Sequence, residues 1–258
     1  MWEEELEIAK SLAVKAGKKI MEYYDGGFDV LIKCDNSPVT SADYESNQII
    51  LSELKEKYPD YAILSEEIAD DFSRLNKDYV WIIDPLDGTK DFVDHADGFA
   101  VNIALAFKNN LVVGVVYIPV REELFYASKG NGAFYSYNGH EERIHVNDKI
   151  LDLTCLISKH HFNEMEKNAI EKHADRITKC VAAGASIKPC LIAKGEAELS
   201  YRLSPSTKEW DTAAPQLILE EAGGLLLKPD GTKMTYNRED VRNLDGYVLM
   251  NRRENFLL

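Results

Sequence analysis

The run Asp84-Pro85-Leu86-Asp87-Gly88-Thr89 follows five residues, Tyr79-Val80-Trp81-Ile82-Ile83, that read as a buried strand. Two carboxylates three residues apart at the end of such a strand repel, and each raises the other's pKa. A chain that folds around them needs positive charge between them. Hard divalent cations take carboxylate oxygens and often share their coordination with substrate phosphate. Gly88-Thr89 then opens a helix whose free N–H groups face an anion. The run therefore predicts a site for metal plus phosphate. Asp and Gly also serve ordinary turns, so support has to come from elsewhere in the chain.

The chain has 258 residues, 45% hydrophobic and 29% charged, which suits a soluble globular protein with one large or two modest cores. Its acidic start, Met-Trp-Glu-Glu-Glu-Leu-Glu, is unlike a secretory or mitochondrial leader. No apolar run approaches bilayer length, so no integral membrane segment is expected. Cys34, Cys155, Cys180 and Cys190 form no CxxC pair. That spacing suits reduced thiols in the cytoplasm, not a disulfide frame or a zinc site. The formal charge of −14 (30 basic, 44 acidic residues) argues against a nucleic-acid polymer as partner. It also repels a phosphate ester, so a phosphate ligand needs local cations to reverse the field.

Apolar periodicity predicts a helix over 3–24, ended by Gly26-Gly27, and a second over 41–58 before Pro59. Strands are expected at 61–64 and 79–83, and a hairpin at 99–107 and 111–119. Further strands are expected at 123–127 and 133–137, with Gly-Asn turn signals between and after them. The polar stretch 139–152 reads as a junction between an N-terminal α+β half (1–145) and a C-terminal α/β half (146–258). The second half alternates: strand 153–158, helix 163–174, strand 177–182, helix 186–194, strand 197–203, helix 211–222, strand 225–227. Such alternation implies sheet layers covered by helices.

Carboxylates recur at element ends. Glu66 and Glu67 follow the strand at 61–64, Asp84 and Asp87 the strand at 79–83. Asp211 starts a helix, and Asp43 lies in the first turn of another. Each has a plainer use, as helix cap, dipole partner or solvent-facing charge. Their coincidence with the DPLDGT run favours a shared metal site, since loops at element ends gather functional groups on a rigid frame.

Ser65-Glu66-Glu67, the run Trp81 to Phe92, Trp210-Asp211-Thr212-Ala213-Ala214 and Glu221-Ala222-Gly223-Gly224 together resemble the inositol monophosphatase superfamily. The resemblance spans nearly the whole chain, in order. It implies an α+β, layered αβαβα sandwich of the sugar-phosphatase type, with Mg²⁺-dependent, lithium-sensitive phosphatase activity. Within the superfamily the chain looks like the 3′(2′),5′-bisphosphate nucleotidases, which serve sulfur metabolism. Ser37 to Asp43 resembles that branch's segment with the water-activating aspartate, and Thr89-Lys90-Asp91-Phe92 its Thr-Lys-Glu-Phe. Ser186-Ile187-Lys188, Tyr201-Arg202 and Ser158-Lys159-His160-His161 resemble its substrate contacts. Leu203 to Glu209 departs from the bacterial pattern, which leaves inositol monophosphate or a sugar bisphosphate such as fructose 1,6-bisphosphate open as alternatives.

Carried over, the resemblance implies that Glu66, Asp84 and the Leu86 carbonyl hold one Mg²⁺, and that Asp84, Asp87 and Asp211 hold a second. A third ion would lean on Glu66. Asp43 with Thr89 would activate water. Gly88, Thr89, His161, Ser186, Lys188, Arg202 and Asp211 would contact a small phosphate ester, adenosine 3′,5′-bisphosphate. A donor set of carboxylates and carbonyls suits Mg²⁺ better than zinc. A homodimer is an admissible assembly.

Two rivals have distinct signatures. A haloacid-dehalogenase phosphatase carries one residue between its two aspartates, and this chain carries two. A non-catalytic nucleotide sensor would lack the water activator, and both Asp43 and Thr89 are present.

Overall fold

The structure is a computed structural model that describes residues 1–32, 38–184 and 186–258. Its elements run α1 (Glu3–Gly26), β1 (Val30–Ile32), β2 (Pro38–Thr40), α2 (Ser41–Lys57), β3 (Ala62–Ser65), β4 (Tyr79–Asp87), α3 (Thr89–Val93), β5 (Ala100–Phe107) and β6 (Asn110–Ile118). They continue β7 (Glu123–Ser128), β8 (Gly132–Tyr137), β9 (His140–Ile144), β10 (Leu153–Ile157), α4 (Glu164–Lys172), β11 (Ile177–Ala182) and α5 (Ile187–Ala193). The chain closes with β12 (Leu199–Arg202), α6 (Glu209–Glu221), β13 (Leu225–Leu227) and β14 (Tyr247–Met250).

Strands β3 to β9 form a seven-stranded sheet in sequence order, and β11-β10-β12-β14-β13 a five-stranded one. Period-2 alternation gives the large sheet two apolar faces. On β4 and β5, Trp81, Ile83, Val101, Ile103 and Leu105 join Leu12, Ala16, Ile20, Ile50 and Leu54 of α1 and α2 in one core. Val80, Ile82, Ala104 and Ala106 face the other way, onto α5 and α6. The same α5–α6 layer meets Leu156, Leu226 and Leu249 of the small sheet. The far face of that sheet, with Cys155, Leu199, Val248 and Met250, is covered by Ala169 and Ile170 of α4. The layers therefore run α, β, α, β, α, as the resemblance implies.

The bed for α6 is a row of small residues. Ala104 pairs with Gly114, Gly114 with Ala127, and Ala127 with Ala133 across four strands. A Cβ on Gly114 would lie 2.6 Å from the Ala214 carbonyl oxygen, so α6 packs directly on sheet backbone.

Several expectations need correction. The stretch 139–152 holds a paired strand, β9, whose first four residues are exposed. As an almost wholly exposed edge it lacks the apolar alternation that marks a strand. Strand β14 has no counterpart in the sequence reading, and it lies antiparallel between β12 and β13. The β5–β6 link is a two-residue turn, Lys108-Asn109, with both φ angles positive (50° and 63°), as a type I′ hairpin requires. Cys155, Cys180 and Cys190 are free thiols; Cys34 and Ser37 lie outside the described residues. Among the described residues no helix is long and apolar enough to cross a membrane.

Candidate active site

Strand β4 does not stop at Ile83 but runs through Asp87. Its parallel partner β3 ends opposite Ile83, so Pro85, which lacks an N–H, interrupts no ladder on that side. On the other side Asp84 pairs with Asn102 and Asp87 with Ala100, so β4 carries one extra residue. Side chains three apart on a regular strand point to opposite faces. The bulge cancels that alternation. One carboxylate oxygen each from Asp84, Asp87 and Asp211 then lie within 4.8 Å of one another.

Asp211 arrives from the opposite side, on α6. The sequence places it at the helix start; the helix instead begins at Glu209, and Asp211 is its third residue. One carboxylate oxygen accepts the backbone N–H of Lys208 in a capping box. Asp43 repeats the arrangement on α2. Its Oδ2 accepts the Thr40 N–H (2.7 Å) and Thr40 Oγ1 (2.6 Å), while Oδ1 accepts Thr89 Oγ1 at 3.1 Å. The plain capping role and the site role thus coexist, one on each oxygen.

Burial and mutual repulsion outweigh the partners of the cluster. Burial raises Asp84 well above the carboxylate range, and Glu66, Asp87 and Asp211 push it further. Asp211 is raised well above that range by burial and by Asp87 and Glu66. Asp87 is raised by burial, against hydrogen bonds from Ser186 and Asn102. Asp43 is also raised by burial. An oxygen-only donor set of like charges, crowded and desolvated, fits a hard divalent cation. Glu66 lines the same cleft but falls outside the three-oxygen group. Leu86 is buried; its N–H donates to Asp84 Oδ1 (3.1 Å) and its carbonyl accepts Thr89 Oγ1 (3.2 Å).

The cleft has a volume of about 460 Å³ and also takes in Gly88, His161, Ser186, Lys188 and Arg202. Gly88 has φ 90°, a conformation glycine adopts without strain, and it turns the chain into α3. That helix has five residues, so an anion there would meet individual N–H groups rather than a developed macrodipole. Lys188 and Arg202 are only 8% and 7% exposed. Burial, with Arg202 beside it, brings Lys188 down to about 8. Arg202 donates to the His161 carbonyl (3.3 Å) and Ser206 Oγ (2.6 Å), and its buried Nε has no hydrogen-bond partner. Burial and the cations Arg202 and Lys90 lower His161 below the ordinary imidazole value. Ser186 directly precedes α5 and faces the acidic end, its N–H on Asp87 Oδ2 at 2.8 Å.

The structure brings every sequence-assigned site residue to this cleft or, for Asp43, directly behind Thr89. It adds supports that the sequence reading missed. Asn102 donates to Asp87 Oδ2 (3.2 Å) and accepts Ser186 Oγ (2.8 Å). Ser46 holds the Pro85 carbonyl (2.7 Å), and Asn47 holds Ser65 Oγ (2.8 Å) beside Glu66. A lone Asn inside the apolar run of β5 was the available signal, since a buried amide needs partners.

Known proteins resemble the chain in sequence and in shape. The inositol monophosphatase family model matches residues 1–253. The 3′(2′),5′-bisphosphate nucleotidase CysQ of Escherichia coli (strain K12) is 37% identical over 236 residues, 90% of this chain and 94% of its own. The crystal structure of CysQ from Bacteroides thetaiotaomicron superposes with a TM-score of 0.84 at 32% identity, covering 98% of this chain and 99% of that one. An IMPase of Thermotoga maritima superposes at 0.82 with 26% identity, covering 96% and 92%.

Proposed function

The chain belongs to the inositol monophosphatase family, and from that premise we propose that it is a 3′(2′),5′-bisphosphate nucleotidase, releasing phosphate from adenosine 3′,5′-bisphosphate to leave AMP. The observation that carries this reading is the polarity of the cleft. Crowded carboxylates fill one part of it, and a buried Lys188–Arg202 pair lines another. Two cations held in one buried wall favour a ligand that brings further negative charge. A substrate with one phosphate at the acidic cluster and a second on Lys188 and Arg202 satisfies both ends. Relatives at 37% identity carry the name of that activity.

Asp84, Asp87 and Asp211, with Glu66 and the Leu86 carbonyl, are the residues to hold two or three Mg²⁺ ions. Bound there, Mg²⁺ supplies positive charge that offsets the phosphoryl oxygens and acidifies water. Asp43 is the general base. Its Oδ2 is fixed by Thr40, so Oδ1 and Thr89 Oγ1 form a preset pair that orients a water and takes its proton. Burial raises Asp43's proton affinity, which suits that task. Gly88 and Thr89 present N–H groups to the scissile phosphate. Arg202 and Lys188 bind the other phosphate, Arg through a planar fork and Lys as a point charge. His161 flanks them. The free thiols suit a cytoplasmic setting.

Phosphate release from adenosine 3′,5′-bisphosphate, inositol 1-phosphate and fructose 1,6-bisphosphate, compared as kcat/KM with Mg²⁺, tests the reading. The nucleotide should lead by at least about tenfold, the scale of one charge-assisted contact. A lead for inositol 1-phosphate would move the chain to the inositol phosphatases of the family.

A further inference from the structure

Asp91 is 4% exposed and no step above uses it. It stands on α3, two residues beyond Thr89, yet its carboxylate reaches the other part of the molecule. His160 Nε2 lies 3.1 Å and Lys159 Nζ 3.7 Å from Asp91 Oδ1. A carboxylate offers only acceptors, so His160 donates through Nε2. Lys159 also reaches Asp97 at 3.6 Å, and Asp97 is paired with Arg121 at 2.6 Å.

The other oxygen, Oδ2, is packed where two chain segments pass. A Cβ on Gly98 would overlap it, and a Cβ on Gly184 would lie 2.7 Å away. Gly184 leads toward Ser186, the partner of Asp87 and Asn102. His160 leads directly to His161, whose carbonyl accepts Arg202. One buried carboxylate thus bonds the segment after the DPLDGT run to the 158–161 loop and packs closely against Gly184.

We infer that Asp91 is a positioning residue: it anchors the 158–161 loop through Lys159 and His160, and so sets the place of His161 and Arg202 for the non-reacting phosphate. The inference rests on the second-phosphate reading above. Asp91 lies in the lining of the same cleft, where its charge also supports that of Lys188, so its contribution belongs to affinity for the second phosphate and not to turnover.

Two readouts test it on the full chain. Asp91→Asn should raise KM for adenosine 3′,5′-bisphosphate about five- to twentyfold with kcat within threefold, while p-nitrophenyl phosphate, which has one phosphate, keeps both constants within twofold. Trypsin should cut after Lys159 at least tenfold faster in the variant, because the loop loses its buried anchor at Asp91 and keeps only the more exposed pair with Asp97, with cleavage elsewhere unchanged. His160→Ala, which removes the partner from the other side, should reproduce the KM effect. Equal losses on both substrates, a fall confined to kcat, or unchanged cleavage would overturn the inference. If the unaltered chain hydrolyses the monoester but not the bisphosphate, the nucleotidase reading falls by itself. The cleavage rate then decides the anchor alone.

Discussion

Thr89 Oγ1 donates to Asp43 Oδ1 across 3.1 Å, and it is the only one of the two residues that lines the cleft. On the proposed reading, Asp43 serves the site as a base beside that hydroxyl and not as a direct metal ligand. Asp43→Asn keeps an acceptor for Thr40 but offers Thr89 an amide donor in place of a base. Turnover should fall by about 10²–10⁴, the usual contribution of a general base, with KM nearly unchanged. Steady-state kinetics decide this, and near-normal kcat would leave Asp43 with helix capping alone.

The acidic cluster should destabilise the metal-free protein. Asp84, Asp87 and Asp211 all have raised pKa values in the fold. Between their unfolded and folded pKa values the native state holds protons that the unfolded chain has released. Stability without metal should therefore fall as pH rises out of the carboxylate range, and the penalty is fully present above the folded values. Mg²⁺ should raise the melting temperature more at about pH 7.5 than at about pH 5, where protons compete for the same oxygens. Asp84→Asn should raise the melting temperature of the chelated protein, because burial and the neighbouring Glu66, Asp87 and Asp211 all penalise the charge it removes. It should also abolish phosphate release, which EDTA should stop and Mg²⁺ should restore. A melting temperature indifferent to Mg²⁺ would count against the cluster as a cation site.

These carboxylates were legible because each breaks an apolar pattern at an element end. How they meet was not. Residues 84 and 87 share a cleft only because of a bulge, and a bulge depends on how β5 pairs rather than on any local signal in β4. Asp211 and Asp43 read as helix-start residues, which they are, and a capping role hides a second one on the other oxygen. Strand β9 has almost no buried face, so periodicity could not reveal it. Asp91 sat in view within the Thr-Lys-Asp-Phe run, but its partners lie 68 and 69 residues on and only the fold brings them near.

Gly114 sets the height of the helix that delivers Asp211. Gly114→Ala places a methyl 2.6 Å from the Ala214 carbonyl, and backbone cannot yield as a flexible side chain can. The substitution should cost about 1–3 kcal/mol by overpacking. That amounts to a melting decrease of roughly 2–4 °C per kcal/mol for a chain of this size. Because α6 would lift at its middle, kcat should fall as well. Thermal melts and kinetics unchanged from the unaltered chain would contradict the packing described.

Lys188 gives the bisphosphate reading a pH signature. Its pKa is lowered to about 8 by burial and by Arg202. Below that value it is charged and can bind a phosphate; above it the free enzyme loses that cation. KM for adenosine 3′,5′-bisphosphate should therefore rise as pH climbs past about 8, approaching the level of Lys188→Met, whose KM should be flat over the same interval. A monoester should show no such rise. Identical alkaline limbs for both substrates and for the variant would remove Lys188 from substrate binding.

Arg202 separates the two enzymatic readings most sharply. It stands at the end of β12 beside Lys188, with two of its nitrogens engaged by the His161 carbonyl and Ser206 Oγ and Nε left without a partner. Both acceptors are uncharged, and Glu166 offers one buried carboxylate to Arg202 and Lys188 together. On the bisphosphate reading, a second phosphate adds a counterion there. Arg202→Ala should raise KM for adenosine 3′,5′-bisphosphate by about ten- to hundredfold, the worth of a charge-assisted contact at roughly 1.5–3 kcal/mol. Inositol 1-phosphate has no second anion to lose, so its kinetics should scarcely change. Equal losses on the two substrates would show that Arg202 serves the fold or the scissile phosphate instead, and would shift the assignment to an inositol monophosphatase.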